Sequence, residues 1–332
     1  MNVRVAIPVS LIIVVVAMAS LMPSSAQEAS AGEQANGSEA QAPSKNWAAG
    51  NPLKIALLKW YPANLTTGFT AGDNPYAVVF DGTDIWVSNN GDNTVTKLRA
   101  SDGANLGTFG VGGAPMGMAF DGANIWVVNS FPNTVTKLRA SDGSNLGEFG
   151  VGKVPFSAAF DGQAIWVTNS QGASVTKLRA SDGKVLGTFA DNGAPGGIVF
   201  DGTYIWVSNF DTVTRFRLDG KQAGTFKISA TFSALAFDGA NIWVPNNGGT
   251  VTKLRASDGN VLGTFGVGCD GSGIVFDGSN LWFTAGSFIV AVRPGDGTVL
   301  LTKRVSTNLQ GLAFDGANVW VAGWGADRAF KL

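Results

Sequence analysis

From about residue 65 onward, hydrophobic and polar positions fall in short runs that stop and restart at regular turns. One stretch shows the pattern. Met118-Ala119-Phe120 is a short apolar run closed by Asp121-Gly122. Asn124-Ile125-Trp126-Val127-Val128 follows, β-branched and aromatic, and Phe131-Pro132-Asn133 turns the chain. Thr134-Val135-Thr136-Lys137-Leu138-Arg139 alternates as a strand does, and Ser141-Asp142-Gly143 turns it again. Leu146-Gly147-Glu148-Phe149 and Val151 complete a fourth run before Pro155. Such patterning predicts four strands of about five residues joined by short turns, filling about 40 residues. No stretch within this unit carries helical periodicity, which argues against helix-pair and leucine-rich solenoids.

The unit repeats. Phe-Asp-Gly opens each copy at Phe80, Phe120, Phe160, Phe200, Phe237, Phe276 and Phe314, at spacings of 40, 40, 40, 37, 39 and 38 residues. Six residues after each Phe stands a Trp: Trp86, Trp126, Trp166, Trp206, Trp243, Trp282 and Trp320. A period in this range means a solenoid, a propeller or an array. The ends of the chain choose between them. The last copy stops at Ala329-Phe330-Lys331-Leu332, one strand short, while Leu65 to Gly72 precedes the first copy and repeats the spacing of a fourth strand: Phe69 to Pro75 matches Phe109 to Pro115. The expected fold is therefore all-β, a seven-bladed β-propeller of four-stranded antiparallel blades, its ring closed by an N-terminal strand that completes the last blade. In that fold the repeated Phe and Trp fill the layers between blades, and the Asp-Gly turn supplies a positive φ. The Lys-Leu-Arg of each third strand, as in Lys97 and Arg99, reads as a solvated outer charge belt paired with the Asp of the next turn, such as Asp102.

The stretch Ile165-Trp166-Val167-Thr168-Asn169, then Ser174-Val175-Thr176-Lys177-Leu178, Gly187-Thr188-Phe189 and Pro195, resembles the YVTN-type propeller repeat. The whole pattern, over about residues 54–332, is also similar to the NHL and streptogramin-lyase-like propellers. Lyase-active members of the latter use a histidine base beside a magnesium ion. This chain has no histidine, so the resemblance implies the fold without that activity.

Composition narrows the chemistry. The absence of histidine also excludes Ser-His-Asp and Cys-His catalysis and histidine-ligated zinc. A single cysteine, Cys269, allows no internal disulfide and reads as a small buried apolar residue. A net charge of −1 offers no overall field for nucleic acid or an anionic membrane. At the N-terminus a basic start, an apolar run from Ala6 to Met22 and small residues ending at Ala26 predict a signal peptide over residues 1–26. The competing reading is an uncleaved anchor helix, for which the run is short. Residues 27–52, rich in Ala, Ser, Gly, Gln and Glu, read as a flexible linker, and residues 53–332 as the propeller. A secreted, extracellular or periplasmic monomer with no membrane span after cleavage is expected.

A function should appear where the repeat is broken. The second strand ends in Asn in five copies (Asn89, Asn129, Asn169, Asn209, Asn246) and in Ala285 and Gly323 in the others. Asn here is expected to bond the following turn, the alternative being a ring of amides facing a sugar or a cation. Loop residues Phe131, Phe210 and Trp324, with Asp92, Asp211 and Asp327 nearby, and first-strand residues Tyr76, Met116, Phe156 and Gln310 differ between copies. Aromatics beside amides suit contact with an extracellular protein, peptide or carbohydrate. The first reading is a non-catalytic binding or interaction scaffold that needs no cofactor. A second is a metal-dependent hydrolase or lyase of gluconolactonase or streptogramin-lyase type, with the Asn ring and Asp211 holding a divalent cation. A third is a structural cell-surface component.

Overall fold

The computed structural model describes residues 67–228, 234–268 and 271–332. The expected signal peptide and linker, the start of the propeller at residue 53, and Cys269 lie outside these. Every described element is a β-strand, and no described helix is long and apolar enough to cross a membrane.

Seven four-stranded antiparallel sheets form seven blades. Blade 1 runs through Pro75–Phe80, Asp84–Asn89, Thr94–Arg99 and Asn105–Gly110 in sheet order. Blades 2 to 6 repeat that order, their first strands being Pro115–Phe120, Pro155–Phe160, Ile198–Phe200, Ala236–Phe237 and Ile274–Phe276. Blade 7 joins Leu309–Phe314, Val319–Gly323 and Arg328–Lys331 to Thr67–Thr70, with Thr67 opposite Lys331 and Thr70 opposite Arg328. The first strands of successive blades touch around the whole circle, that of blade 7 meeting that of blade 1. The ring is thus closed, as the matching half-blades predict, and this strand exchange removes the edge an open array would expose.

Both faces of every blade are covered by neighbours, so the core is divided into one apolar cluster at each seam. Trp86, Trp126, Trp166, Trp206, Trp243 and Trp320 are fully buried. The Phe of each Phe-Asp-Gly is half-buried. Its Asp carries the turn: the Asp121 carboxylate accepts the Ala123 and Asn124 amides through Oδ1 and the Trp126 Nε1–H, at 2.7 Å, through Oδ2. Burial pushes the Asp121 pKa up, but the Trp126, Asn124 and backbone donors outweigh it and hold the carboxyl below its usual range. Each fully buried Trp also packs on a fourth-strand Phe of its own blade, with centroids 5.4–5.8 Å apart, for example Trp86 on Phe109 and Trp320 on Phe69. That Phe lies against the turn glycine of the next blade. At Gly143, with φ +74°, an added Cβ would stand 2.0 Å from the Phe109 ring.

The third-strand lysine is not part of a solvated belt. Lys97 and Lys137 are buried. Lys97 Nζ donates to Ala140 O of the next blade at 2.7 Å and lies 5.1 Å from the Trp86 ring centroid. Lys137, Lys177, Arg215, Lys253 and Lys331 repeat this bridge to the following blade. The neighbouring blade screens this position from most of the solvent, so the stem packs on Trp and the cation takes that neighbour's carbonyl. The Arg two residues on does sit outside, as expected, in exposed pairs such as Arg99 with Asp102.

The seam from blade 6 to blade 7 differs. Ala291 replaces the lysine and Lys303 replaces the fourth-strand Phe. Trp282 is only half-buried, and the cluster there has three buried members, Ile289, Leu309 and Val321. The reason is topological: the third and fourth strands of blade 7 come from opposite ends of the ring sequence. Among the described residues no turn joins them, and none presents the glycine and carbonyls that receive Phe and Lys at the other seams.

Candidate functional site: an aromatic roof over the central channel

The register of each blade places the start of the first strand, the end of the second and the start of the third at one end. In blade 1, Pro75 lies opposite Asn89 and Asn89 opposite Thr94. The loops that break the repeat therefore share one face of the ring. Inside, the first strands of all seven blades enclose a channel of about 220 Å³. Its walls are mostly small, with Ala77, Gly117, Ser157, Gly197, Gly273 and Gly311 among them. An added Cβ at Gly117 would stand 2.8 Å from Ser157 Cα, and one at Gly311 2.9 Å from Tyr76 O, so the tight ring demands glycine there.

Three of the candidate residues meet at the mouth. Tyr76 of blade 1 packs edge-to-face on Phe156 of blade 3, at 6.0 Å between centroids, and on Trp324 of blade 7, at 5.9 Å. Tyr76 and Phe156 come from non-adjacent blades, so their contact crosses the opening and roofs the channel. Tyr76, Phe156 and Gln310 line the cavity, and Gln310 Nε2 donates to Asn308 Oδ1 at 2.8 Å. Burial pushes the Tyr76 hydroxyl well above its usual pKa, which keeps it a neutral donor, and it has no hydrogen-bond partner among the described residues. Met116 lies one blade over and is turned from the channel, its sulfur taking the Asn90 amide at 3.2 Å. Phe131 and Phe210 stand on the surrounding rim, 65% and 64% exposed.

The Asn ring does not face the channel. Asn89, Asn129, Asn169, Asn209 and Asn246 are buried inside their blades. They bond third-strand hydroxyls rather than only the turn: Asn89 Nδ2 donates to Thr94 Oγ1 and Thr96 Oγ1. The Asp211 side chain is exposed on the rim. Among the described residues no three of His, Cys, Asp and Glu come together as metal ligands would. The donor set proposed for a cation thus does not converge, and no chemical step is derived through one.

Sequence reading missed Asp191. It occupies the position of Val111 and Val151 in the preceding blades, and is buried. Its carboxylate accepts Thr214 Oγ1 at 3.0 Å, Asn209 Nδ2 and the Asn192 amide. Burial pushes its pKa up, against those donors. The replacement of Val by Asp within the repeat was the available signal.

No family model matches the sequence, and no curated protein matches it. By shape the chain is similar to a solved chain titled Kuenenia stuttgartiensis Hydrazine Synthase, with a TM-score of 0.69 and 15% identity, covering 80% of this chain and 96% of that one. At that identity the likeness shows the fold alone, and propellers host many unrelated activities.

Proposed function

We propose that this protein is a non-catalytic binding module, a propeller of YVTN/NHL type carried out of the cytoplasm by its N-terminal segment, that takes an extracellular partner at the mouth of the channel. One observation carries the reading: the repeat breaks where Tyr76, Phe156 and Trp324 converge from three blades over a cavity. Half-buried aromatics, with a Tyr76 hydroxyl that has no partner among the described residues and neighbouring amides, supply apolar area and orienting hydrogen bonds. The chain has no histidine, and the acidic groups of this face lie on separate loops, which supports binding over catalysis.

The test is a binding screen of peptides and oligosaccharides on the full chain, repeated with Trp324→Ala and Tyr76→Ala. Binding of one class that is lost in both variants is the expected result. Turnover of a lactone or glycoside by the pure protein, or binding indifferent to both substitutions, would defeat the reading.

A further inference from the structure

The seam between blades 6 and 7 offers an apolar step where the other six offer a cation. In blade 1, Trp86 lies opposite Lys97 and Lys97 opposite Gly107. Opposite residues share a face, and this row faces the next blade, where Lys97 Nζ meets Ala140 O. Phe109 folds back over the glycine, so an added Cβ at Gly107 would stand 2.7 Å from its ring. In blade 6 the same row reads Trp282, Ala291 and Leu301, with Lys303 at the Phe position. Aliphatic side chains replace both the cation and the glycine. Trp282 is half-buried, and Leu301 is 40% exposed.

At the other six seams the row is received by the turn between the third and fourth strands of the following blade, through the carbonyls of Ala140, Ala180, Leu218, Ala256, Pro294 and Ala100. In blade 7 those two strands are not consecutive in the chain, and the fourth begins at Thr67. Phe69 lies opposite Ala329 as Phe109 lies opposite Val95. Counted back in that register, Trp60-Tyr61-Pro62-Ala63-Asn64 stands at the sequence positions of the blade 1 turn, Ala100-Ser101-Asp102-Gly103-Ala104.

We infer that residues 53–66 of this chain are the occupant of that step: they stand in for the missing turn and set Trp60 and Tyr61 against Trp282 and Leu301. The two sides have changed together. A Ser-Asp-Gly turn offers carbonyls to a lysine, and blade 6 has Ala291 there. It offers a glycine gap to a phenylalanine, and blade 6 has Lys303 there. The N-terminal segment has Ala63 at the glycine position and aromatics at the carbonyl positions, which match an apolar row. Residues 53–61 read Leu-Lys-Ile-Ala-Leu-Leu-Lys-Trp-Tyr, apolar at seven of nine positions. Reach is sufficient: six residues from Thr67 to Tyr61 span up to about 20 Å, against about 10 Å between packed sheets.

The segment would act as a clasp. Thr67–Thr70 is held in blade 7 by four residue pairs with Arg328–Lys331. It leads through Ala71, whose amide donates to Asp327 O at 3.0 Å, to Tyr76 against Trp324. Whatever pins this strand therefore also steadies the contact between blades 1 and 7 at the mouth. The inference is independent of what the mouth binds. The seam still lacks the lysine bridge, so it remains the first to open, and loss of the clasp opens it further.

Two measurements on the full chain test this. In a Cys269→Ala background, Trp60→Cys or Tyr61→Cys is combined with Leu301→Cys and mildly oxidised, since a disulfide forms only when the two Cα atoms come within about 7 Å. A disulfide within one chain is expected, and none with Leu146→Cys, the exposed outer-strand position of blade 2. Hydrogen exchange is then compared with and without Trp60→Ala and Tyr61→Ala together. Phe288–Val292 and Thr67–Thr70 should exchange about tenfold faster in the variant, with Thr134–Arg139 unchanged. Absence of the disulfide in both cysteine pairs would overturn the inference, even if the alanine variant failed to fold. So would an equal yield with Leu146→Cys, or unchanged exchange at the seam. A disulfide that joins two chains, read as a dimer on a non-reducing gel, would assign the step to a second copy and overturn it as well.

Discussion

At the scale of single residues, the third-strand lysine is the instructive case. In Thr134-Val135-Thr136-Lys137-Leu138-Arg139 a charged residue inside an alternating strand reads as solvent-facing, because one side of an isolated sheet is wet. In a propeller neither side is. Lys137 is buried, bonds Ala180 O and Ser181 O of the next blade, and lies 4.9 Å from the Trp126 centroid. Arg139, at the strand's end, pairs with Asp142 in solvent. The Ser144 backbone amide and then its hydroxyl, ahead of Arg139, hold the pKa of that aspartate down to about 2. Two substitutions two residues apart in the same strand should therefore part company. Lys137→Met leaves two carbonyls without their donor and should cost about 1–3 kcal/mol. Arg139→Gln should stay within about 0.5 kcal/mol. Urea denaturation measures both, and equal effects would mean that the lysine bridge contributes nothing.

At the scale of the element, the unit of construction is not the blade but the contact of one blade's Phe with the next blade's turn glycine. Gly143 needs its lack of a side chain twice over, for φ +74° and for the Phe109 ring against it. Gly143→Ala should destabilise by more than about 1 kcal/mol. Part of that loss comes from the ring and part from the backbone, so the double variant Phe109→Ala, Gly143→Ala should lose less than the sum of the singles. Strict additivity in thermal unfolding would contradict the contact. The Ser-Asp-Gly turn was visible in the sequence as a turn. Its partner Phe was not, because the two lie in different copies and only the packing of one blade on the next brings them together.

At the scale of the whole molecule, seven-fold symmetry fails at one seam. Between blades 6 and 7 the lysine bridge is replaced by Ala291, and the buried cluster is reduced to Ile289, Leu309 and Val321. Fewer buried apolar contacts imply a lower free energy of local opening. Hydrogen exchange should show the backbone amides of Phe288–Val292 exchanging before those of Thr94–Arg99 or Thr134–Arg139. Uniform protection around the ring would show that the seam is as tight as the others. The mouth is itself a whole-molecule feature, since Tyr76, Phe156 and Trp324 come from blades 1, 3 and 7 and meet only because the ring is narrow.

Periodicity by itself determined the strands, their grouping into seven blades and the closing strand around Phe69. Strand patterns and turn residues act over neighbouring positions, and a repeated spacing writes the same local solution seven times. It also pointed to the positions that break the repeat. Tertiary structure alone decided which of those meet. It gathered Tyr76, Phe156 and Trp324, left Met116 turned away and Phe131 and Phe210 on the rim, and buried the Asn ring that a linear reading could have set facing a ligand. Which side chains share a cavity depends on the radius of the ring and on what covers each sheet face, and neither is written in the spacing of one strand to the next.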